Sequence, residues 1–442
     1  MSDIELENQE ERKAYRRKRR IRNQILAYMV TACFGFAVIF GIVFGIGQIR
    51  KAAVAAPETG QNLQSQVDEF LKTESIINIP NTVEDILPEL SYEERLDQLI
   101  DTVLENMPLE DKVAGLFIVA PEAITKGETV VEAGESLKNA LMDYAVGGLV
   151  YHEKNMRDSA QLEQLIKGAE SYSRYALFSA VLEEGGKNGE LVKSGIIETR
   201  ESSATTIGKS GDTNKAYEAG QRIGQKLDSL GIHLDFAPCA DLASVENSAV
   251  AYNSYGSDVT QVPLYAQAMM KGLKENSVIP CVTHFPGNGG TTQDTATGMA
   301  TTDRTAEELR MNEIAVFKEM INAGAPMIMV GHIAAPSLTG DKTPCSLSSV
   351  VVTDILRNEL GFQGVIISDA LNKKAISEYY DSGEACVRAI KSGCDMLLEP
   401  EDFLKGYAAV LDAVVNGTIA EERINDSLRR IYRIKYADKL EQ

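Results

Sequence analysis

The chain has 442 residues, of which 44% are hydrophobic, and its formal net charge at pH 7 is −20. This length and composition are typical of one large globular domain with additional segments. Such an acidic surplus argues against a nucleic-acid partner, because a polyanion would be repelled.

An uncharged and strongly apolar run occupies residues 25–47. As a helix it would cross roughly 30 Å of hydrocarbon, which is the thickness of a bilayer core. Lysine and arginine are concentrated before the run, in residues 12–22, and only Arg50 and Lys51 follow it closely. This imbalance places the N-terminus inside the cell and the remainder outside.

A cleaved signal peptide is the alternative, since residues 53–55 resemble a cleavage site. The apolar run is longer than a signal peptide needs, and Arg50 and Lys51 separate it from that site. We therefore expect a single-pass protein of the cell membrane with an extracellular barrel. Its expected segments are a cytoplasmic basic tail (1–24), a transmembrane helix (25–47), a stalk or linker (48–90) and a folded domain (91–442).

The six cysteines have no spacing typical of a metal site or a CxxC motif. Cys33 lies in the apolar run. The other five cysteines lie outside it, and because five is an odd number they cannot all pair with one another in disulfides. We expect buried free thiols, with no metal ion and no cofactor.

Short apolar runs alternate with longer stretches of helical periodicity, the first of which is residues 91–107. Such alternation is typical of a parallel sheet that helices cover on both faces. Eight units predict an α/β fold of the (β/α)₈, or TIM, barrel type, with an open doubly wound sheet as the alternative. The eight apolar runs are residues 116–121, 147–152, 176–182, 234–240, 278–285, 326–332, 364–370 and 396–400.

Polar side chains stand at the C-terminal ends of several of these runs. In a barrel those ends form the mouth, where chemistry takes place. We expect these side chains to surround one opening: His152, Glu184, Asp241, His284, His332 and Asp369.

Residues 283–296 read THFPGNGGTTQDTA and resemble the signature of glycoside hydrolase family 3, in its β-N-acetylglucosaminidase branch. That signature begins Lys-His-Phe-Pro-Gly-His-Gly-Asp-Thr and ends, after two free positions, in Asp-Ser-His. Residues 236–241 (FAPCAD), 329–333 (MVGHI) and 364–372 (GVIISDALN) also resemble family segments. The resemblance covers about residues 95–400.

The resemblance implies a position for both catalytic groups of a retaining glycosidase. Asp369 matches the nucleophile that attacks the anomeric carbon. Asp294 matches the aspartate that works with a histidine as general acid/base, and Ala296 stands where the family has that histidine. On the residues alone, Asp369 could instead cap a following helix, and Asp294 could be an ordinary loop residue.

The same resemblance implies where the sugar would bind. Three charged sugar anchors of the family, an Asp, an Arg and a Lys, are replaced here by Leu182, Asn253 and Thr283. The two histidines of the site have an alternative interpretation as hydrogen-bonded structural residues beneath the mouth. The predicted substrate-binding residues are His284, Glu184, Asn253 and His332.

Two functions follow from these observations. The first is a membrane-anchored extracellular glycosidase that hydrolyses β-N-acetylhexosaminides with retention of configuration and takes an aminosugar glycoside as substrate. The second is a catalytically impaired pseudo-glycosidase that binds carbohydrate or acts as a scaffold at the cell surface. The kept carboxylates favour the first, and the replaced positions favour the second.

Overall fold

The computed structural model describes residues 91–125, 127, 129–197 and 202–437, and eight short parallel strands lie at its centre. Each strand falls within one of the predicted apolar runs. In chain order the strands are β1 (Phe117–Val119), β2 (Gly148–Val150), β3 (Phe178–Val181), β4 (Leu234–Asp235), β5 (Ile279–Phe285), β6 (Met327–Val330), β7 (Val365–Ser368) and β8 (Leu397–Leu398).

The sheet curves until its two ends meet. Strands follow one another in chain order from β1 to β7, and β1 also pairs with β8, where Phe117 is in register with Leu397. At the remaining seam Ile367 and Met396 form an isolated parallel bridge. There the amide of Ser368 donates to the carbonyl of Met396 at 3.1 Å. The result is a nearly closed eight-stranded barrel, which confirms the predicted barrel and excludes the open sheet.

Helices connect the strands. Because side chains cover the strands on both sides, every residue of β6 and β7 is buried, which explains their continuous apolar sequence. The described α-helices are Tyr92–Asn106, Leu109–Ala114, Pro121–Thr125, Glu135–Asp143, Ser159–Tyr172, Glu190–Lys193, Ala204–Lys209, Asn214–Leu230, Val262–Lys274, Ala306–Met311, Glu313–Asn322, Pro336–Thr339, Lys374–Ser377, Ser382–Ser392, Phe403–Val415 and Glu421–Tyr436, with 3₁₀ turns at Glu153–Asn155 and Cys345–Leu347 and a π-helix at Val350–Glu359.

The first described helix, Tyr92–Asn106, confirms the helix expected over residues 91–107. It begins at a capping box, in which the Ser91 hydroxyl accepts from the amide of Glu94 and the Glu94 carboxylate accepts from the amide of Ser91. It ends at Met107, whose backbone is extended because Pro108 follows.

The predicted basic tail, transmembrane helix and stalk lie outside the described residues. Within the part that is described, no helix combines the length and the apolar character needed to cross a membrane.

At the N-terminal end of β8, Asp395 forms a charged network that is separate from the barrel mouth. Its fully buried carboxylate contacts Arg357 at 2.7 Å, Arg430 at 3.1 Å and Arg423 at 3.6 Å. It also accepts hydrogen bonds from the Ser427 hydroxyl and the amide of Ile366, both at 2.9 Å. The network ties the last helix to β7 and β8.

Replacing Asp395 with Asn should destabilise the fold, because three arginines would lose their common counter-charge. We expect the free energy of unfolding to fall by roughly 3 kcal/mol. Denaturant unfolding would measure this change. The matched control is Glu384→Gln in the exposed pair with Arg388, which should cost no more than about 1 kcal/mol. An equally small cost for Asp395→Asn would contradict the structural role of the network.

Candidate active site

The C-terminal mouth of the barrel contains a cavity of about 240 Å³. Four of the predicted site residues, Glu184, Asn253, His284 and Asp294, line it together. A larger cavity of about 470 Å³ lies at the opposite end, beside residues that precede β3, β4 and β5. We regard the smaller cavity as the candidate site, because barrel chemistry takes place at the C-terminal ends of the strands.

Asp369 is the first residue after β7 and is only 3% exposed. Its Oδ1 accepts from the amide of Ala370 at 2.7 Å, and its Oδ2 accepts from the ammonium of Lys373 at 2.8 Å. The next helix, Lys374–Ser377, is preceded by Lys373 at its N-cap position, so Asp369 does not cap it.

Charged neighbours keep Asp369 ionised. Burial alone would raise its pKa, but the ammonium of Lys373, together with His284, holds the pKa well below the usual range. A nucleophilic carboxylate must be ionised before it attacks. The position and the charge state of Asp369 therefore suit a nucleophile.

Lys373 is a site residue that the sequence analysis missed. Its side chain is 27% exposed and lines the cavity. Burial would lower its pKa, but Asp369, Asp294 and Glu184 raise it, so the ammonium stays charged. A lysine four residues after Asp369 was the available signal, but only the turn that follows β7 brings the two groups together.

Asp241 orients His284 from below the cavity. The Asp241 carboxylate is fully buried, and its Oδ2 lies 2.8 Å from Nδ1 of His284. Its Oδ1 accepts from the amide of Asn288 at 2.7 Å. Burial would lower the pKa of His284, whereas Asp241 and Asp369 raise it above the ordinary value. With Nδ1 held by Asp241, the imidazole is fixed in orientation at the wall of the cavity.

Glu184 and Asn253 are joined to each other. The Asn253 amide donates to Oε2 of Glu184 at 2.6 Å, and its own oxygen accepts from Asn188 at 3.2 Å. Burial raises the pKa of Glu184 to about 7, against the lowering effect of His284. Glu184 is therefore partly protonated near neutral pH, and the Asn253 side chain already has two partners within the protein.

His332 lies beneath the mouth and is completely buried. Its Nε2 is 2.9 Å from the carbonyl of Ala370, and its Nδ1 is 2.8 Å from the Ser346 hydroxyl. Burial lowers its pKa to about 4, so the ring is neutral. Because a carbonyl only accepts, Nε2 carries the hydrogen and Nδ1 accepts from Ser346. Both ring nitrogens are thus engaged within the protein, which favours a positioning role beside Asp369.

Asp294 lies on the loop after β5 and is exposed at the edge of the cavity. Its Oδ1 accepts from the amide of Ala296 at 2.8 Å. Ala296 carries no ionisable group, so the predicted acid/base loop offers one carboxylate and no imidazole.

Two further acids, Glu183 and Asp235, are buried next to the site without a counter-charge in contact. The amide of Glu183 donates to Asp235 at 2.9 Å, while Oε1 of Glu183 and Oδ2 of Asp235 have no hydrogen-bond partner. Burial raises the pKa of Glu183 to about 7 and that of Asp235 well above its usual range. The folded state therefore favours the protonated forms.

This shift makes folding stability depend on pH. Glutamate in the unfolded chain has a pKa near 4.5, whereas folded Glu183 has a pKa of about 7. The contribution of Glu183 to folding stability is therefore fully present below about pH 4.5 and is lost as the pH rises through about 7. Glu183→Gln should raise the free energy of unfolding by roughly 2 kcal/mol at pH 8 and change it little at pH 4.5.

Urea unfolding at the two pH values would measure this difference, with exposed Glu401→Gln as the matched control. A Glu183→Gln effect of equal size at both pH values would show that packing, rather than ionisation, is responsible.

The fold and the site together define a barrel protein with a carboxylate-lined mouth. Residues 108–434 match the family model described as the glycosyl hydrolase family 3 N terminal domain. The chain therefore belongs to glycoside hydrolase family 3, as its signature segments led us to expect.

Relatives of known name agree with this membership. The chain is 29% identical over 327 residues to the beta-hexosaminidase A of Pseudoalteromonas piscicida, covering 68% of this chain but only 54% of that protein. It is 32% identical over 289 residues to the beta-hexosaminidase of Glaesserella parasuis, covering 64% and 81%. The chain thus spans about half the length of the Pseudoalteromonas relative.

A solved structure shares the fold. The family 3 beta-N-acetylglucosaminidase from Paenibacillus sp. str. FPU-7 superposes with a TM-score of 0.69 at 30% identity, covering 76% of this chain and 64% of that one. The chain is therefore a beta-hexosaminidase-like member of the family.

Proposed function

We propose that this protein hydrolyses β-N-acetylhexosaminides with retention of configuration. The observation that carries the proposal is the ionised and buried Asp369 at the mouth of the barrel, held by Lys373 and placed at the end of β7. The names of the similar hexosaminidases support the choice of an aminosugar substrate.

In the proposed first step, a carboxylate oxygen of Asp369 attacks the anomeric carbon, and the bond to the leaving oxygen breaks. A glycosyl ester of Asp369 results. Lys373 stabilises the carboxylate before the attack and again when water releases it. His284, oriented by Asp241, supplies a fixed hydrogen-bonding group to the sugar at the cavity wall.

The leaving oxygen needs a proton, and Asp294 is the proposed donor. It lies at the edge of the cavity on the loop that the family uses for this purpose. Without an imidazole at position 296, Asp294 acts alone. We therefore expect substrates with a good leaving group, such as nitrophenol, to be hydrolysed much faster than natural substrates.

A panel of 4-nitrophenyl β-glycosides tests the proposal. The N-acetyl-β-glucosaminide should release nitrophenol faster than the β-glucoside, which lacks the acetamido group. No release above background from any member of the panel would contradict the proposed hydrolysis.

A carbohydrate-binding protein without turnover is the second candidate. It is favoured by the commitment of Asn253 to Glu184 and Asn188 and by the lack of a titratable group at Ala296. Calorimetric titration with N-acetylglucosamine oligomers separates the two candidates. Binding without release of product would favour the second.

We further propose that residues 25–47 anchor the protein in the cell membrane with the barrel outside. The support is the length of the apolar run and the excess of basic residues before it. Protease added to intact cells should digest the barrel, and full protection would contradict this topology.

A further inference from the structure

We propose that Cys239, Asp241 and His284 form a binding site for one divalent transition-metal ion of the zinc class, at the floor of the mouth cavity. One donor atom from each of these residues lies within 4.8 Å of the other two. Within the described part of the chain, no other group of three such side chains comes this close together. The proposal does not depend on whether the protein hydrolyses glycosides.

The backbone brings the three donors together between two neighbouring strands. Cys239 and Asp241 follow β4, whereas His284 belongs to β5, and Cys239 is in register with Thr283 across the pair. The Cys239 sulfur lies 3.4 Å from Oδ2 of Asp241, and the same oxygen lies 2.8 Å from Nδ1 of His284. Tetrahedral zinc, with bonds of about 2.0–2.3 Å, separates its donors by roughly 3.3–3.8 Å. A small outward movement would admit the ion.

The types of donor select the class of metal. A thiolate, an imidazole and a carboxylate suit zinc or cobalt, whereas Mg²⁺ and Ca²⁺ take oxygen ligands. Three protein ligands leave a fourth position open. Cys239 and His284 both line the cavity, so an ion can reach them, and the open position would face the space in which a sugar would bind.

A second observation points to the same place. The side-chain oxygen of Asn288 is buried without a hydrogen-bond partner, whereas the backbone N–H of Asn288 donates to Asp241. Unpaired buried polar atoms are costly. Asn288 lines the same cavity as Cys239 and His284, so a water molecule on the open position of the metal could donate to the Asn288 side-chain oxygen.

The charge of the mouth favours a cation. Glu184, Asp294 and Lys373 line the cavity, and the carboxylates of Asp241 and Asp369 contact residues that line it. The carboxylates of Asp294, Asp241 and Asp369 and the partly protonated Glu184 thus lie near one ammonium group and one imidazole, and the imidazole becomes a neutral ligand when the metal binds. On metal binding, the S–H bond of Cys239 breaks and a metal–sulfur bond forms. His284, whose pKa Asp241 raises, loses the proton on Nδ1, keeps the one on Nε2 and forms a metal–nitrogen bond, and both released protons leave to solvent.

Cobalt(II) is a suitable probe, because a cobalt–thiolate bond gives a charge-transfer absorption band in the near ultraviolet. The full chain, stripped with a chelator, should bind one Co²⁺ and show this band. Cys239→Ala should abolish the band and weaken binding by at least ~100-fold, more than the loss of a supporting hydrogen bond typically costs. Cys386→Ala is the matched control, because Cys386 is a buried thiol in the helix Ser382–Ser392.

X-ray absorption of the zinc-loaded native protein needs no variant and tests the same site if Cys239→Ala fails to fold. We expect one sulfur neighbour together with nitrogen and oxygen neighbours. Failure to bind either metal, a shell without sulfur, or full retention of the band in Cys239→Ala would overturn the proposal. None of these outcomes depends on turnover, so they leave the proposed hydrolysis to be judged by its own assay.

Discussion

Replacing Asp369 with Asn is expected to abolish glycoside hydrolysis and to leave the fold intact. Asparagine has nearly the same shape, and its oxygen can still accept from the amide of Ala370. It cannot form a glycosyl ester as a carboxylate does, so the rate should fall on the order of 10³-fold or more. Lys373 would lose its partner, but its partly exposed side chain can extend into the cavity.

The measurement is the turnover of 4-nitrophenyl N-acetyl-β-glucosaminide, with circular dichroism to check the fold. Asp412→Asn is the matched control, because Asp412 is exposed on the helix Phe403–Val415. An unchanged rate for Asp369→Asn would assign the activity to another residue or to a contaminant.

Introducing at four positions the ionisable groups that the resemblance to the family implies is expected to increase turnover of N-acetylglucosamine oligomers. The variant combines Leu182→Asp, Asn253→Arg, Thr283→Lys and Ala296→His. General acid–base assistance contributes about 10²–10⁴-fold, so a gain in this range is expected on N-acetylglucosamine oligomers. An arginine at position 253 would lie close enough to Glu184 to form an ion pair, because Glu184 already accepts a hydrogen bond from the Asn253 side chain. Ala296→His alone should help little, since the sugar would remain without its anchors.

The matched control carries the same three anchors with Ala296→Gln, which adds a polar side chain that transfers no proton. The two variants should differ on oligomers and differ much less on nitrophenyl glycosides. Equal rates on oligomers would rule out a histidine at 296 as the missing group. Rapid hydrolysis of oligomers by the unmodified protein would show that Asp294, Glu183 or Glu184 already supplies the proton.

The sequence predicts the barrel because its strands are buried on both sides, so each one is a continuous apolar run. The ends of the strands are less predictable, because burial continues into the loops. The run at residues 234–240 is apolar almost throughout, but the strand ends at Asp235. Pro238 lacks an amide hydrogen for the ladder, so only an isolated bridge between Cys239 and Thr283 continues the pairing beyond it.

The candidate site is predictable where single positions carry the signal and unpredictable where distant residues meet. Asp369 and His284 stand at the ends of apolar runs, so their place at the mouth follows from the strand pattern. The pairing of Asn253 with Glu184 joins residues far apart in the chain. No local pattern indicates that Asn253 is held in this way, because the contact depends on how two loops fold over the mouth.

Covalent trapping would test the role of Asp369 most directly. A 5-fluoro glycosyl fluoride of N-acetylglucosamine forms a glycosyl ester that water releases slowly, and peptide mass spectrometry locates the modified residue. We expect one sugar per chain, attached to Asp369. Turnover with the sugar on another residue, or turnover without any covalent adduct and with inversion at the anomeric carbon, would contradict Asp369 as the nucleophile of a retaining glycosidase.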